Sequence, residues 1–308
     1  MEENAKIAVL LPCYNEQITI GKVIQDFKRV LPDADIWVYD NNSKDRSVEL
    51  AVAAGANVRF VTQQGKGHVV RRMFQEVEAD CYVMVDSDDT YPAEEALALI
   101  KPILEGKADM VTGDRLSSTY SKENKRPFHN LGNQLVVSLI SLLFHRKVTD
   151  VMTGYRAFNR LFVKNCPVLA QGFEIETEMT LHALAKRMNL VEVPITYRDR
   201  PVGSVSKLNT FSDGFKVLKT IFNLFRYYRP FFFFGAISVV MFLLSVVMVI
   251  PVLVEYFRTG LVPRYPTLIV SGFIAIGGLL SFACALILDS IIKYNDQIFE
   301  LFLSRSGK

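Results

Sequence analysis

The chain has 308 residues, of which 50% are hydrophobic and 22% charged, and its formal net charge is +3. A length of this size gives about two structural units at roughly 150 residues each, and a charged fraction near the globular norm of ~25% excludes a disordered or low-complexity chain. The small net charge gives no case for a nucleic-acid partner, and four dispersed cysteines (Cys13, Cys81, Cys166 and Cys284) without a CxxC pair exclude a disulfide framework or zinc ribbon.

The first residues carry no basic region ahead of a long apolar run, so no signal peptide is expected. Short apolar runs then recur at 7–11, 36–39, 58–62, 82–85 and 110–112. Helical patterns lie between them at 19–30, 47–54, 67–78 and 93–104. Strands alternating with helices of this length predict an α/β unit, a mostly parallel sheet flanked by helices on both faces. The isolated cysteines read as small buried hydrophobes in a reducing compartment.

Ligands of such sheets bind at the carboxyl ends of the strands, which makes the residues after each run the candidates for chemistry. Run one ends in Pro12, Cys13, Tyr14, Asn15 and Glu16. Run two ends in Asp40, Asn41, Asn42, Ser43, Lys44 and Asp45. Run three leads to Gln63, Gln64, Gly65, Lys66 and Gly67, and run four to Asp86, Ser87, Asp88, Asp89, Thr90 and Tyr91. No GxGxxG follows run one, and GxxxxGK[ST], HExxH and GxSxG are all missing, which excludes the commonest dinucleotide, P-loop, zinc-protease and serine-hydrolase readings.

The acidic tip is the sharpest of these signals. Asp86 and Asp88, with Asp89 beside them, repel one another and raise each other's pKa unless a cation stands between them. A hard divalent cation, Mg²⁺ or Mn²⁺, resolves this with carboxylate and phosphate oxygens as ligands, so Asp86 and Asp88 are the candidate metal pair.

Further along, 128–144 is strongly apolar and is expected to lie against a membrane or in the core. Residues 211–230 place Phe211, Phe215, Leu218, Phe222 and Phe225 at helical spacing with Lys216, Lys219 and Arg226 among them, an amphipathic helix at headgroup level. Two charge-free runs follow. Residues 231–254 span ~36 Å as a helix and 267–288 ~33 Å, against a hydrocarbon core of ~30 Å. They predict a two-helix transmembrane hairpin with a short extracytoplasmic link at 255–266 and a tail at 289–308. Basic residues outside the hairpin (Lys216, Lys219, Arg226, Arg229, Lys293, Arg305 and Lys308) exceed those in the link (Arg258 and Arg264). This bias puts the 1–210 unit and both termini in the cytoplasm, at the cytoplasmic membrane. Small residues at Gly277, Ser281 and Ala285 suit close approach by another helix, either within the hairpin or in a homo-oligomer.

These residues resemble a known family, the GT-A fold glycosyltransferases of family 2. The likeness rests on Pro12 to Glu16, on Asp40-Asn41 with Ser43 and Asp45, and on Asp86-Ser87-Asp88. It is narrowed by Gly113-Asp114-Arg115, by the motif from Met152 to Phe158, and by Gly172-Phe173-Glu174-Ile175-Glu176. With the C-terminal helix pair these look like the polyprenyl-phosphate glycosyltransferases, a group holding dolichol-phosphate mannose synthases and bactoprenol glucosyltransferases. The similarity covers roughly residues 6–230. Processive synthases are set apart by their QxxRW, since the single tryptophan, Trp37, lies in run two.

The resemblance implies inverting transfer of a hexose, with UDP-glucose the leading donor, to the phosphate of a polyprenyl lipid. Alternatives are a GDP-mannose-dependent mannosyltransferase, a transferase to a lipid hydroxyl, and a non-catalytic membrane scaffold in sugar translocation. It places Asp40 near the ribose or base, Pro12 and Tyr14 along the nucleotide with Asn15, Glu16, Asn41, Ser87 and Asp89, and Lys66 at the pyrophosphate. Asp88, or Asp89 next to it, reaches both metal and sugar. A phosphate nucleophile has a second pKa near ~6 and needs cations more than a base. Arg115 and Arg126, then Arg156, are the candidates because guanidinium forks match phosphate, with Lys122 and Lys125 nearby. Asp150 is a candidate orienter of those arginines or a residual base, and Glu176 a partner for sugar hydroxyls.

Overall fold

The computed structural model describes residues 5–115, 137–138, 140–172, 174–201, 222–223 and 226–306. The chain divides into two compact units between Gly214 and Phe215.

The first unit is built on β1 (Ile7–Cys13), β2 (Asp35–Asp40), β3 (Asn57–Phe60), β4 (Cys81–Met84) and β5 (Met110–Asp114). Helices α1 (Ile20–Val30), α2 (Ser47–Ala53), α3 (Lys66–Glu76) and α4 (Ala96–Leu104) connect them, α4 being preceded by a 3₁₀ turn. The order matches the predicted alternation. Two strands were not predicted: β6 (Arg156–Asn159) and β7 (Leu190–Pro194), separated by α5 (Arg160–Asn165) and α6 (Ile175–Ala185). The strands form one seven-stranded sheet in the order β3-β2-β1-β4-β6-β5-β7. All pairings are parallel except those of β6, which runs antiparallel to both β4 and β5.

That reversal positions the site. The parallel strands bring Cys13, Asp40, Met84, Asp114 and Pro194 to their carboxyl-terminal edge. β6 enters from the same edge, with Arg156 opposite Met84 and Thr112. The turn before β6 therefore stands beside the acidic tip after β4.

The core forms where the sheet meets its helices. α1 turns Ile20, Val23, Ile24 and Phe27 inward, the i, i+3, i+4, i+7 stripe of an amphipathic helix. They pack with Val9, Leu11, Val83, Val111 and Ala157 in one buried cluster. Burying a side chain of this size contributes roughly 1.5–3 kcal/mol. Cys13, Cys81 and Cys166 are buried free thiols as expected, whereas Cys284 is exposed on an apolar helix.

The second unit carries α7 (Pro230–Thr259) and α8 (Tyr265–Ser306), both long and apolar enough to cross a membrane. They outrun the charge-free segments: 30 and 42 residues correspond to ~45 and ~63 Å. The charged residues beyond 288 continue α8 instead of ending it. Ser245 Oγ donates to the Ser271 carbonyl at 2.9 Å, and Ser281 Oγ to that of Phe234 at 2.9 Å. Such bonds hold polar groups that lipid cannot satisfy. A Cβ on Gly277 would lie 2.5 Å from Met241 Cε, and Ala285 is wholly buried. The small-residue stripe thus packs within the hairpin. Most of 211–230, residues 128–136 of the apolar stretch, and Lys122, Lys125 and Arg126 lie outside the described residues.

Candidate active site

The strand tips are tied to one another before any ligand is considered. The Asn15 amide donates to Ser43 Oγ at 2.8 Å, while Asn15 Oδ1 accepts from the Lys44 amide at 2.7 Å. The Glu16 amide donates to Ser47 Oγ at 2.7 Å. These bonds clamp the tip of β1 to that of β2. Asn41 does the same between β2 and the loop before α3. Its Nδ2 donates to the carbonyls of Val61 and Gln63 at 2.9 and 2.8 Å, and its Oδ1 accepts from the Gly65 amide at 2.7 Å. Ser87 Oγ donates to the Pro12 carbonyl at 2.8 Å, joining β1 to β4. Asn15, Asn41 and Ser87 fix the strand tips relative to one another through these ties. Pro12, Tyr14 and Glu16 are half-buried on the same tip. Asn15, Asn42 and Asp89 adopt positive φ, an uncommon conformation for residues other than glycine, and all three stand at strand tips.

Asp40 is buried at the end of β2. Its Oδ2 accepts from the Ser43 amide at 3.1 Å, and its Oδ1 is buried with no hydrogen-bond partner among the described residues. A buried acceptor left this way is costly and calls for a donor.

Asp86 and Asp88 diverge in their partners. Asp86 Oδ1 takes Lys66 Nζ at 2.5 Å, and the same ammonium reaches Glu176 Oε1 at 2.5 Å. Asp88 Oδ1 accepts from the Thr90 amide and hydroxyl at 3.2 and 2.6 Å, while its Oδ2 takes Arg200 Nη2 at 2.5 Å. Burial works to raise the Asp86 carboxyl, but Lys66, Arg200 and Arg115 outweigh it and leave the group below its ordinary value. Burial and the charge of Asp86 raise Asp88, against the pull of Thr90 and Arg200. Burial likewise raises Glu176, with Lys66 opposing. A Cβ on Gly154, in the turn before β6, would sit 2.3 Å from Asp86 Oδ2, so only glycine lets that backbone approach the carboxylate.

Spacing left Asp88 and Asp89 unresolved. The structure separates them, because Asp89, at φ 59°, turns to Lys22 on α1 at 2.7 Å. Asp88 is the one directed toward Asp86 and Arg200.

Arg115 and Asp150 form a two-pronged pair: Nε to Oδ2 at 2.7 Å and Nη2 to Oδ1 at 3.0 Å. The Tyr91 hydroxyl accepts from the Gly154 amide at 3.1 Å and from Arg115 Nη1 at 3.4 Å, linking the pair to the acidic tip. Asp150 thus orients Arg115. Arg156 departs from expectation. It is fully buried, its donors go to the carbonyls of Thr153 and Val151 and to Thr180 Oγ1, and burial lowers its guanidinium to about 10. It braces the turn before β6 against α6, with its donors taken up by these protein groups.

Arg200 is the residue of this cluster that sequence reasoning missed. Thr90, Tyr91 and Gly154 lie in stretches already noted but were given no role there. Arg200 follows β7, and the strand-tip rule finds it once β7 is recognised.

A divalent cation fits this donor set. Asp86 and Asp88 offer hard carboxylate oxygens at one edge, and their mutual repulsion is what such an ion relieves. Among the described residues no group of three or more His, Cys, Asp or Glu could hold a metal.

A mostly parallel sheet whose tips gather paired carboxylates and cationic side chains defines a glycosyltransferase of the GT-A type. The description of Glycosyl transferase family 2 matches residues 8–166, slightly over half of the chain, and the protein belongs to that family. Glycosyltransferase AglJ of Haloferax volcanii is 33% identical over 233 residues, 75% of this chain and 76% of that one. A dolichyl-phosphate hexose transferase of the same organism is 31% identical over 215 residues, 70% of this chain and 92% of that one. Glucosyl-3-phosphoglycerate synthase from Mycobacterium tuberculosis, solved with Mn²⁺, UDP-glucose and phosphoglyceric acid, superposes with a TM-score of 0.57. It is 23% identical, covers 72% of this chain and 79% of its own, and shares the fold.

Proposed function

We propose that this protein transfers a hexose from UDP-glucose to the phosphate of a polyprenyl lipid, with inversion at the anomeric carbon. The observation that carries the acceptor is the engagement of the buried carboxylates. Asp150 gives both oxygens to Arg115, and Glu176 is held by Lys66. A sugar or lipid hydroxyl needs a base to accept its proton. A phosphate monoester, with a second pKa near ~6, arrives largely deprotonated. The relative that acts, by its name, on dolichyl phosphate supports the same choice.

In this reading Asp86 and Asp88 would hold Mg²⁺ or Mn²⁺, which would offset charge developing on the leaving nucleoside diphosphate. Asp40 Oδ1 accepts a hydrogen bond from the ribose or base. Arg115, positioned by Asp150, and Arg126 receive the acceptor phosphate. α7 and α8 serve as a transmembrane hairpin with both termini in the cytoplasm.

The test uses full-length protein in detergent with UDP-glucose, polyprenyl phosphate and Mg²⁺. UDP release that requires the lipid phosphate, and is not supported by diacylglycerol, is the expected result. Turnover with diacylglycerol would refute the acceptor. A larger thermal shift with GDP than with UDP would move the donor to GDP-mannose, since a ligand stabilises the fold it binds.

A further inference from the structure

Resting on the reading of Asp86 and Asp88 as the cation-holding pair, we infer that Arg200 is a resident counter-ion that keeps Asp88 from taking a divalent cation until the nucleotide arrives. Asp88 has one oxygen committed to Thr90, by bonds of 3.2 and 2.6 Å from its amide and hydroxyl. The other oxygen, Oδ2, is where Arg200 Nη2 sits at 2.5 Å. A cation bound through Asp88 must share or take that oxygen.

The two cations of the acidic tip are held differently. Lys66 opens helix α3, is 10% exposed, and is gripped from two sides by Asp86 and Glu176. Arg200 lies beyond the end of β7 in a segment without regular structure, and 29% of its side chain meets solvent. Lys66 is enclosed between two carboxylates, whereas Arg200 meets Asp88 from the solvent side of the site. A guanidinium cannot relieve repulsion by losing its proton. A bare dication approaching Asp88 Oδ2 therefore meets an undiminished positive charge at contact range. A nucleoside diphosphate brings negative charge with the metal and removes that penalty. Arg200 thus makes metal and nucleotide enter together.

A purely structural cross-link makes the opposite prediction, because its loss would loosen Asp88 and weaken every ligand. The experiment measures Mn²⁺ binding to full-length protein in detergent by loss of the free-ion EPR signal, with and without UDP. Wild type should bind Mn²⁺ weakly alone and tightly with UDP. Arg200→Gln and Arg200→Met, read side by side with thermal unfolding to confirm folding, should bind Mn²⁺ without UDP about 10-fold tighter than wild type. Their further gain from UDP should be smaller, and Arg200→Lys, which keeps the charge, should restore weak binding.

If wild type with UDP binds Mn²⁺ through Asp88, shown by its loss in Asp88→Asn, while the two neutral variants bind the bare ion no tighter than wild type, the inference is overturned and the cation pair stands. If Asp88→Asn binds Mn²⁺ like wild type in the presence of UDP, the pair itself is wrong and the inference falls with it.

Discussion

Replacing Asp150 by asparagine distinguishes a carboxylate that positions from one that accepts a proton. Arg115 and Asp150 meet through bonds of 2.7 and 3.0 Å, with 11% and 0% of their side chains exposed. Removing one partner of a buried pair costs about 3–5 kcal/mol, because the survivor stays charged and out of water. Asparagine retains one oxygen for the guanidinium, which sets the expected loss near the lower end, about 3 kcal/mol. In a domain of about 200 residues each kcal/mol moves Tm by ~2–4 °C, so Asp150→Asn should unfold about 6–12 °C lower. Arg115→Met should cost at least as much. The double variant should fall well short of the sum, since contacting residues couple by ~0.5–3 kcal/mol. Thermal unfolding of the full chain in detergent, followed by circular dichroism, supplies the three shifts. The pH–rate profile supplies the second readout: Asp150→Asn should lower kcat/KM evenly and leave the profile's shape intact. Additive Tm shifts, or loss of a rising limb of the kind a general base produces, would refute the positioning role.

Gly154→Ala should reduce kcat/KM by about 10²-fold and also lower Tm, because a Cβ 2.3 Å from Asp86 Oδ2 displaces the carboxylate from Lys66; steady-state assay beside thermal unfolding checks it. Lys66→Met should destabilise the fold by up to about 3–5 kcal/mol, chiefly by leaving the buried Glu176 carboxylate without its cation, and adding Glu176→Gln should recover part of that loss, read as a rise in Tm. His182 is buried, which lowers its imidazole from 6.5 to about 4 with Lys186 adding to the effect. Below pH 6.5 the unfolded chain takes a proton that the folded chain refuses, so stability should fall by about 3 kcal/mol between pH 6.5 and 4. His182→Leu should flatten that slope in unfolding measured across the interval.

The strands that carry the donor half of the site were readable because each is an apolar run ending in a polar cluster. Asp40, Asp86 and Asp88 were found by that rule alone. β6 escaped it because it opens on Arg156, whose burial no local pattern reveals; chemistry suggested a phosphate ligand, and only the sheet shows a brace for Thr153 and Val151. β7 escaped because all but its last residue are half-buried, and with it went Arg200. Spacing could not separate Asp88 from Asp89, since the difference is a backbone angle that turns Asp89 to Lys22 and leaves Asp88 with Thr90 and Arg200. The hairpin was legible from charge-free length. Its true extent was not, because α8 carries Asp289, Lys293, Asp296 and Glu300 without ending.

The charges at this edge argue for how the proposed reaction is assembled. Asp86 and Glu176 share Lys66, Asp88 meets Arg200 and Asp150 meets Arg115, so each of these carboxylates already has a cation. A bare dication entering here must compete with those cations, whereas one that arrives with a diphosphate brings negative charge to offset its own. The acceptor phosphate brings negative charge of its own to this edge, and in the proposed reading its counter-charge comes from Arg115, already in place, and from Arg126 in the basic run at 122–126.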